Sequence, residues 1–137
     1  MDHDEKPCAS RRQLLCRAAA LAVLPLVGRG AEAAGRWVTA GSPSNFPLNR
    51  PIEVSLLGGS AIVQITRLTN SRWFGLSAWC THEGCAVHWK PGRGRYVCPC
   101  HGANFARDGR VLHGPANGPL TQLPVAIRKG KVAINLG

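Results

Sequence analysis

Four cysteines and two histidines fall into two short runs, C-T-H-E-G-C at residues 80–85 and C-P-C-H-G at 98–102. No other feature restricts the chain as much. Between residues 79 and 119 the sequence is crowded with Cys, His, Gly and Pro, and few side chains there are suited to filling a core. Ordering each residue costs about 1–2 kcal/mol, so such a segment needs a metal, a crosslink or both to hold it. Cys80-x-His82 and Cys98-x-x-His101 each offer one thiolate and one imidazole to a metal. One further cysteine remains in each run, Cys85 and Cys100. If the two ligand pairs meet, these two approach as well, and a bridge between them would contribute about 3 kcal/mol on the chain-entropy model. Three arrangements fit the residues alone: an iron–sulfur site, a structural Cys₂His₂ zinc site in an exported binding module, or two disulfides with surface histidines.

The N-terminal residues bear on that choice. Ser10-Arg11-Arg12-Gln13-Leu14-Leu15 precedes an apolar run from Ala18 to Val27, and Ala31-Glu32-Ala33 offers small residues to a signal peptidase. This order is that of an export signal, and the paired arginines resemble a twin-arginine signal. A spanning helix needs about 20 apolar residues, so cleavage near Ala33 is expected, with retention as an uncleaved anchor the alternative. The expected division is a signal over 1–33 and one domain over 34–137, placed outside the cytoplasmic membrane. The twin-arginine route carries folded proteins, which suits a cofactor inserted before export. Cys8 and Cys16 belong to the signal and have no part in the site.

Beyond the signal, short strands alternate with turns: 36–40, 52–57, 61–68, 72–79, 123–128 and 131–136. Ile62, Gln64 and Thr66 share one face of the third, and Lys129-Gly130 marks a hairpin between the last two. The fold class is all-β, a small antiparallel barrel or sandwich with a ligand-binding subdomain inserted at about 79–119.

The two runs match, complete, the two boxes of the Rieske [2Fe–2S] proteins, C-T-H-x-G-C and C-P-C-H-G, and in this the chain resembles that family. By position, the resemblance implies a [2Fe–2S] cluster with Cys80 and Cys98 on one iron and His82 and His101 on the outer iron. It implies a Cys85–Cys100 disulfide, the mark of the respiratory, higher-potential branch. Two ferric ions, two sulfides and two thiolates cancel in formal charge when the histidines are neutral. Adding an electron to a neutral cluster is easier than adding one to a dianion, so the potential lies above that of four-cysteine clusters.

The resemblance implies one-electron transfer, as a subunit of an oxidoreductase complex rather than a complete enzyme. The expected complex is a quinol–cytochrome c (cytochrome bc-type) complex. A periplasmic molybdenum oxidoreductase of the arsenite-oxidase type, or a free periplasmic carrier, is the alternative. Partners are then a cytochrome or molybdenum subunit and quinol, with no nucleic acid, and with membrane association through a complex or the uncleaved signal.

Three positions depart from the family. A Ser and a Tyr that donate hydrogen bonds to the sulfurs in many high-potential members are replaced by Ala103 and Phe105, which sets the midpoint low in its range. Glu83 stands where quinol-oxidising complexes usually carry Leu, and a carboxylate is a poor fit for an apolar pocket. Gly114-Pro115-Ala116 resembles the proline loop that shields the cluster on its third side. His88 and His113 read as ordinary surface histidines, and Trp37, Trp73, Trp79 and Trp89 as packing residues.

Charge adds a last constraint. The chain has 17 Lys and Arg against seven acids, and five of the former and four of the latter lie in the first 33 residues, leaving twelve against three. A surplus of nine suits an acidic partner, anionic lipid headgroups or nucleic acid.

Overall fold

The computed structural model describes residues 35–137, so the predicted export segment lies outside the described residues. As expected for the class, the described residues form antiparallel sheets, joined by turns and three single-turn 3₁₀ segments.

The first sheet joins β1 (Trp37–Gly41), β11 (Lys131–Asn135) and β10 (Val125–Arg128), with β11 in the middle. The predicted hairpin is present: Arg128 pairs with Lys131, and Lys129 (φ 49°) and Gly130 (φ 71°) turn the chain. Two consecutive positive φ values define the turn whose twist matches its strands. The second sheet runs β2 (Pro51–Leu56), β3 (Ala61–Arg67), β4 (Trp73–Ser77) and β9 (Gln122–Leu123). Between these sheets lies a core of Phe46, Leu56, Val63, Ile65, Val132 and Ile134. Gly75 sits at the closest approach, where a Cβ would lie 2.6 Å from Val125 Cγ2 and 2.8 Å from the Leu123 carbonyl oxygen.

The third sheet belongs to the inserted segment: β5 (His88–Lys90), β6 (Arg95–Val97), β7 (Asn104–Phe105) and β8 (Val111–His113). Here the sequence expectation needs correction, because the insert has a core of its own. Val87, Tyr96, Ala103, Phe105 and Leu120 are buried together with Leu76 and Ala78 at the end of β4. Fully burying a large apolar side chain contributes about 1.5–3 kcal/mol, so metal and crosslink need not hold the segment alone. The insert also covers one face of β3, which explains why Gln64 and Thr66 are buried. Gln64 Nε2 donates to the Val87 carbonyl (3.3 Å) and to Glu53 Oε2 (2.9 Å). The His88 side chain, 44% exposed, lies at the surface as expected, and its Nδ1, 2.9 Å from the same Glu53 oxygen, ties the insert to β2.

Candidate metal centre

Each run folds into the same small loop. The amide of Gly84 donates to the Cys80 carbonyl (2.9 Å) and that of Cys80 to the Cys85 carbonyl (2.8 Å). Eighteen positions on, Gly102 donates to Cys98 (3.2 Å) and Cys98 to Ala103 (2.8 Å). Gly84 (φ +70°) and Gly102 (φ +72°) turn each loop through the left-handed region. The two boxes therefore share a C-x-x-x-G frame, a signal present in the sequence that box matching passes over.

The loops face each other and a Cys85–Cys100 disulfide joins them, with Cα atoms 6.5 Å apart. Cys80 and Cys98 remain free thiols and are buried, at 4% and 2% exposure. The His82 and His101 rings meet edge to face, centroids 4.8 Å apart, with their Nδ1 atoms 3.2 Å apart. The His101 side chain is 44% exposed. Thiols thus lie inside and imidazoles outside. Burial, reinforced by the neighbouring Cys98 thiol, pushes the Cys80 thiol up from its ordinary value. The bare Cys80 thiol therefore resists ionisation, and a bound cation would favour its thiolate.

A third segment closes the site. Thr81 Oγ1 donates to the Gly118 carbonyl (2.6 Å), and Asn117 Nδ2 donates to the Thr81 carbonyl (3.1 Å). Gly114 packs directly on Ala103. The Gly114–Ala116 loop thus lies against the site; of its tethers, Thr81 belongs to the first box, whereas Asn117 carries no signal in the sequence. Ala103 and Phe105 are fully buried in the same core cluster as Cys80 and Cys98. Glu83 Oε2 lies 3.6 Å from His101 Nε2 at the exposed tip. Trp79 is partly exposed, bridged to Ala86, while Trp73 and Trp89 pack on Phe46 and Tyr96. His113 is exposed on β8.

The donor set distinguishes one metal from two. A tetrahedral zinc holds its four ligand atoms within about 4 Å of one another. Among the described residues, the triads with ligand atoms within 4.8 Å are Cys85–Cys98–Cys100 and His82–Glu83–His101. The first contains the disulfide, whose sulfurs are already bonded, and no three of Cys80, His82, Cys98 and His101 meet that limit. A thiol pair and an imidazole pair held apart suit a two-iron group better than a single zinc ion.

Comparison with known proteins agrees. The Rieske [2Fe-2S] domain matches residues 36–124. The cytochrome b6-f complex iron-sulfur subunit of Chlorobaculum tepidum is 44% identical over 61 residues, covering 44% of this chain and 34% of that protein. The chloroplastic cytochrome b6-f complex iron-sulfur subunit of Oryza sativa subsp. japonica is 33% identical over 86 residues, covering 63% and 38% respectively. The chain thus matches little more than a third of the length of these relatives. The crystal structure of the plasma membrane Rieske protein of the cyanobacterium Synechocystis PCC 6803 superimposes with a TM-score of 0.58 at 30% identity, over 72% of this chain and 98% of that one. The match covers more than half of the chain and includes both loops, the clasp between them and the sheets that carry them, and so the chain belongs to the Rieske [2Fe–2S] domain family.

Proposed function

We propose that the protein is an exported one-electron carrier that exchanges electrons through its His82–His101 edge. Cys80 and Cys98 would hold one iron of the cluster, and His82 and His101, whose rings meet at the surface, would hold the other. When bound, the cluster accepts and returns one electron at a potential raised by its two neutral histidine ligands. The protein's own residues do the rest. The disulfide and the Thr81–Gly118 tether fix the loops, and the buried core beneath the thiols excludes water. The observation that carries this reading is the contrast between two buried thiols and two imidazoles at the surface.

The cytochrome b6-f relatives favour a place as the iron–sulfur subunit of a cytochrome bc- or b6f-type complex, accepting electrons from quinol and passing them to a cytochrome. Glu83 favours a second reading, a carrier that meets a soluble molybdenum or cytochrome partner, because its carboxylate stands beside His101 where an apolar pocket would have to close. Export by the twin-arginine signal places either role on the outer side of the cytoplasmic membrane. Metal and sulfide analysis of the purified chain, with electron paramagnetic resonance after reduction, tests the carrier itself. Two irons and two sulfides per chain with a reduced-state signal are expected, and a colourless zinc protein would end the proposal. Arg11→Lys with Arg12→Lys should strand the folded protein in the cytoplasm; unaltered export would remove the twin-arginine reading.

A further inference from the structure

The surplus of positive charge is not spread evenly. β4 leads straight into Cys80, so the β3–β4 turn, which carries Arg72, lies at the end of the sheet remote from the histidines. The β5–β6 hairpin leaves the second loop at Val97, and its tip, Pro91–Gly94, points the other way. There Pro91 and Trp89 line a cleft with Arg50 and Pro51, at the start of β2. Lys90, Arg93 and Arg95 surround that tip. The β10–β11 hairpin reaches the same pole. Val132 pairs with Gly41, Gly41 lies against Phe46, and Phe46 meets Trp73, the first residue of β4. This hairpin adds Lys129 and Lys131.

The described residues contain three side-chain carboxylates, and none pairs with these seven cations. Glu53 is taken by Gln64 and His88, Asp108 by Arg110, and Glu83 stands beside His101 at the opposite end. Lys90 and Arg95 are direct cross-strand neighbours, an arrangement that like charges disfavour. Arg95 Nε donates to the Arg93 carbonyl (3.3 Å), which keeps its guanidinium at the tip. Two exposed aliphatic side chains share the pole: Leu48, bridged to Arg67, and Ile127, two residues before Lys129. Two aliphatic side chains among seven cations are too few to form the apolar centre of a protein–protein interface. Single aliphatic side chains among cations do suit a headgroup layer.

We infer that this pole is a docking face for an anionic phospholipid surface, seating the protein with its histidine edge turned toward water. The inference stands on charge and topology and does not depend on the cluster. Each cation near an anionic bilayer strengthens binding about fivefold, so removing three should weaken it about a hundredfold.

The test is co-sedimentation of the full chain with vesicles of phosphatidylcholine alone or with about a third phosphatidylglycerol, at low salt. Wild type should bind the anionic vesicles and spare the neutral ones. Lys90→Gln, Arg93→Gln and Arg95→Gln together should cost about a hundredfold in that binding while leaving the folded spectrum unchanged. Arg36→Gln, near the other pole, should change it less than twofold. Equal binding to neutral vesicles, an unaffected triple variant, or an Arg36→Gln loss of about fivefold would each overturn the inference. The first would assign binding to the N-terminal apolar run and the last to net charge alone.

Discussion

Gly114→Ala is the sharpest perturbation the site allows. A Cβ built there lies 2.6 Å from Ala103 Cα, 3.1 Å from its nitrogen and 3.2 Å from its Cβ. Carbon atoms in contact prefer about 3.5–4.0 Å, so one side must retreat by about 1 Å. Ala103 has nowhere to go, because it is fully buried and its carbonyl accepts the Cys98 amide. Gly114 also sits at φ +101°, where a side chain costs about 1–2 kcal/mol before any contact is counted. Overpacking adds about 1–3 kcal/mol. The expected loss is about 3–4 kcal/mol, a large share of a small domain's stability. Gly118→Ala is the matched control in the same segment, since it meets nothing within 4 Å and has no positive φ. Its change should stay within about 0.5 kcal/mol. Urea unfolding followed by circular dichroism, with visible absorbance read in parallel, measures both variants. Should Gly114→Ala unfold at the same urea concentration as Gly118→Ala, the close approach to Ala103 would not be the constraint described here.

Four further outcomes are expected. Replacing Cys85 and Cys100 by alanine opens a closure of sequence separation 15 and should cost about 3 kcal/mol in denaturant unfolding; a loss under about 1 kcal/mol would count against the clasp as a folding constraint. Burial, offset in part by Thr66 and Arg107, pushes the Tyr96 hydroxyl up to about 12, so its contribution is full below about pH 10 and falls as pH rises toward 12. Between pH 8 and pH 11 the wild type should therefore lose about 1.4 kcal/mol that Tyr96→Phe does not lose, as read by urea unfolding at each pH. Glu83→Gln removes a solvent-screened carboxylate 3.6 Å from His101 and should raise the midpoint by about 20–40 mV in voltammetry; a fall would reverse the electrostatic reading. Ala103→Ser and Phe105→Tyr each supply a hydroxyl beside the buried thiols, and each new hydrogen bond should raise the midpoint by about 60 mV, with no rise in either variant defeating that account.

Much of this was legible in the sequence, and the reasons differ by element. Apart from the two-residue β9, the strands of the first two sheets run for four to seven residues, are rich in β-branched and apolar side chains and end in turn residues, so they are readable. Lys129-Gly130 carries its own turn chemistry. The two boxes name their chemistry by residue type, and the structure joins Cys85 to Cys100 as the resemblance implied. The third sheet escaped because β7 has two residues and β5, β6 and β8 have three, too few to show any period. Its core is assembled from positions scattered along the sequence, Val87, Tyr96, Phe105 and Leu120, each about nine to fifteen residues from the next. The Thr81–Gly118 and Glu83–His101 approaches are likewise long-range, set by how the loops fold back.

Charge placement ties the site to the rest of the surface. One pole carries seven uncompensated cations, and the other carries the two imidazoles with Glu83 beside them. In solution such a molecule orients before it collides, since exposed charges act over about a Debye length, near 10 Å at 0.1 M salt. An acidic partner would be drawn to the wrong end, far from the histidines. A partner with a neutral or basic face would be turned away from the cationic pole and toward the His82–His101 edge. Were that pole seated on anionic lipid, the unproductive approach would be removed for every partner and the imidazole edge left as the open face. On this geometry an electron acceptor reaches the edge from the aqueous side. A quinol held within the bilayer reaches it only if a complex turns the domain over, and Glu83 would then have to enter the apolar pocket that receives it.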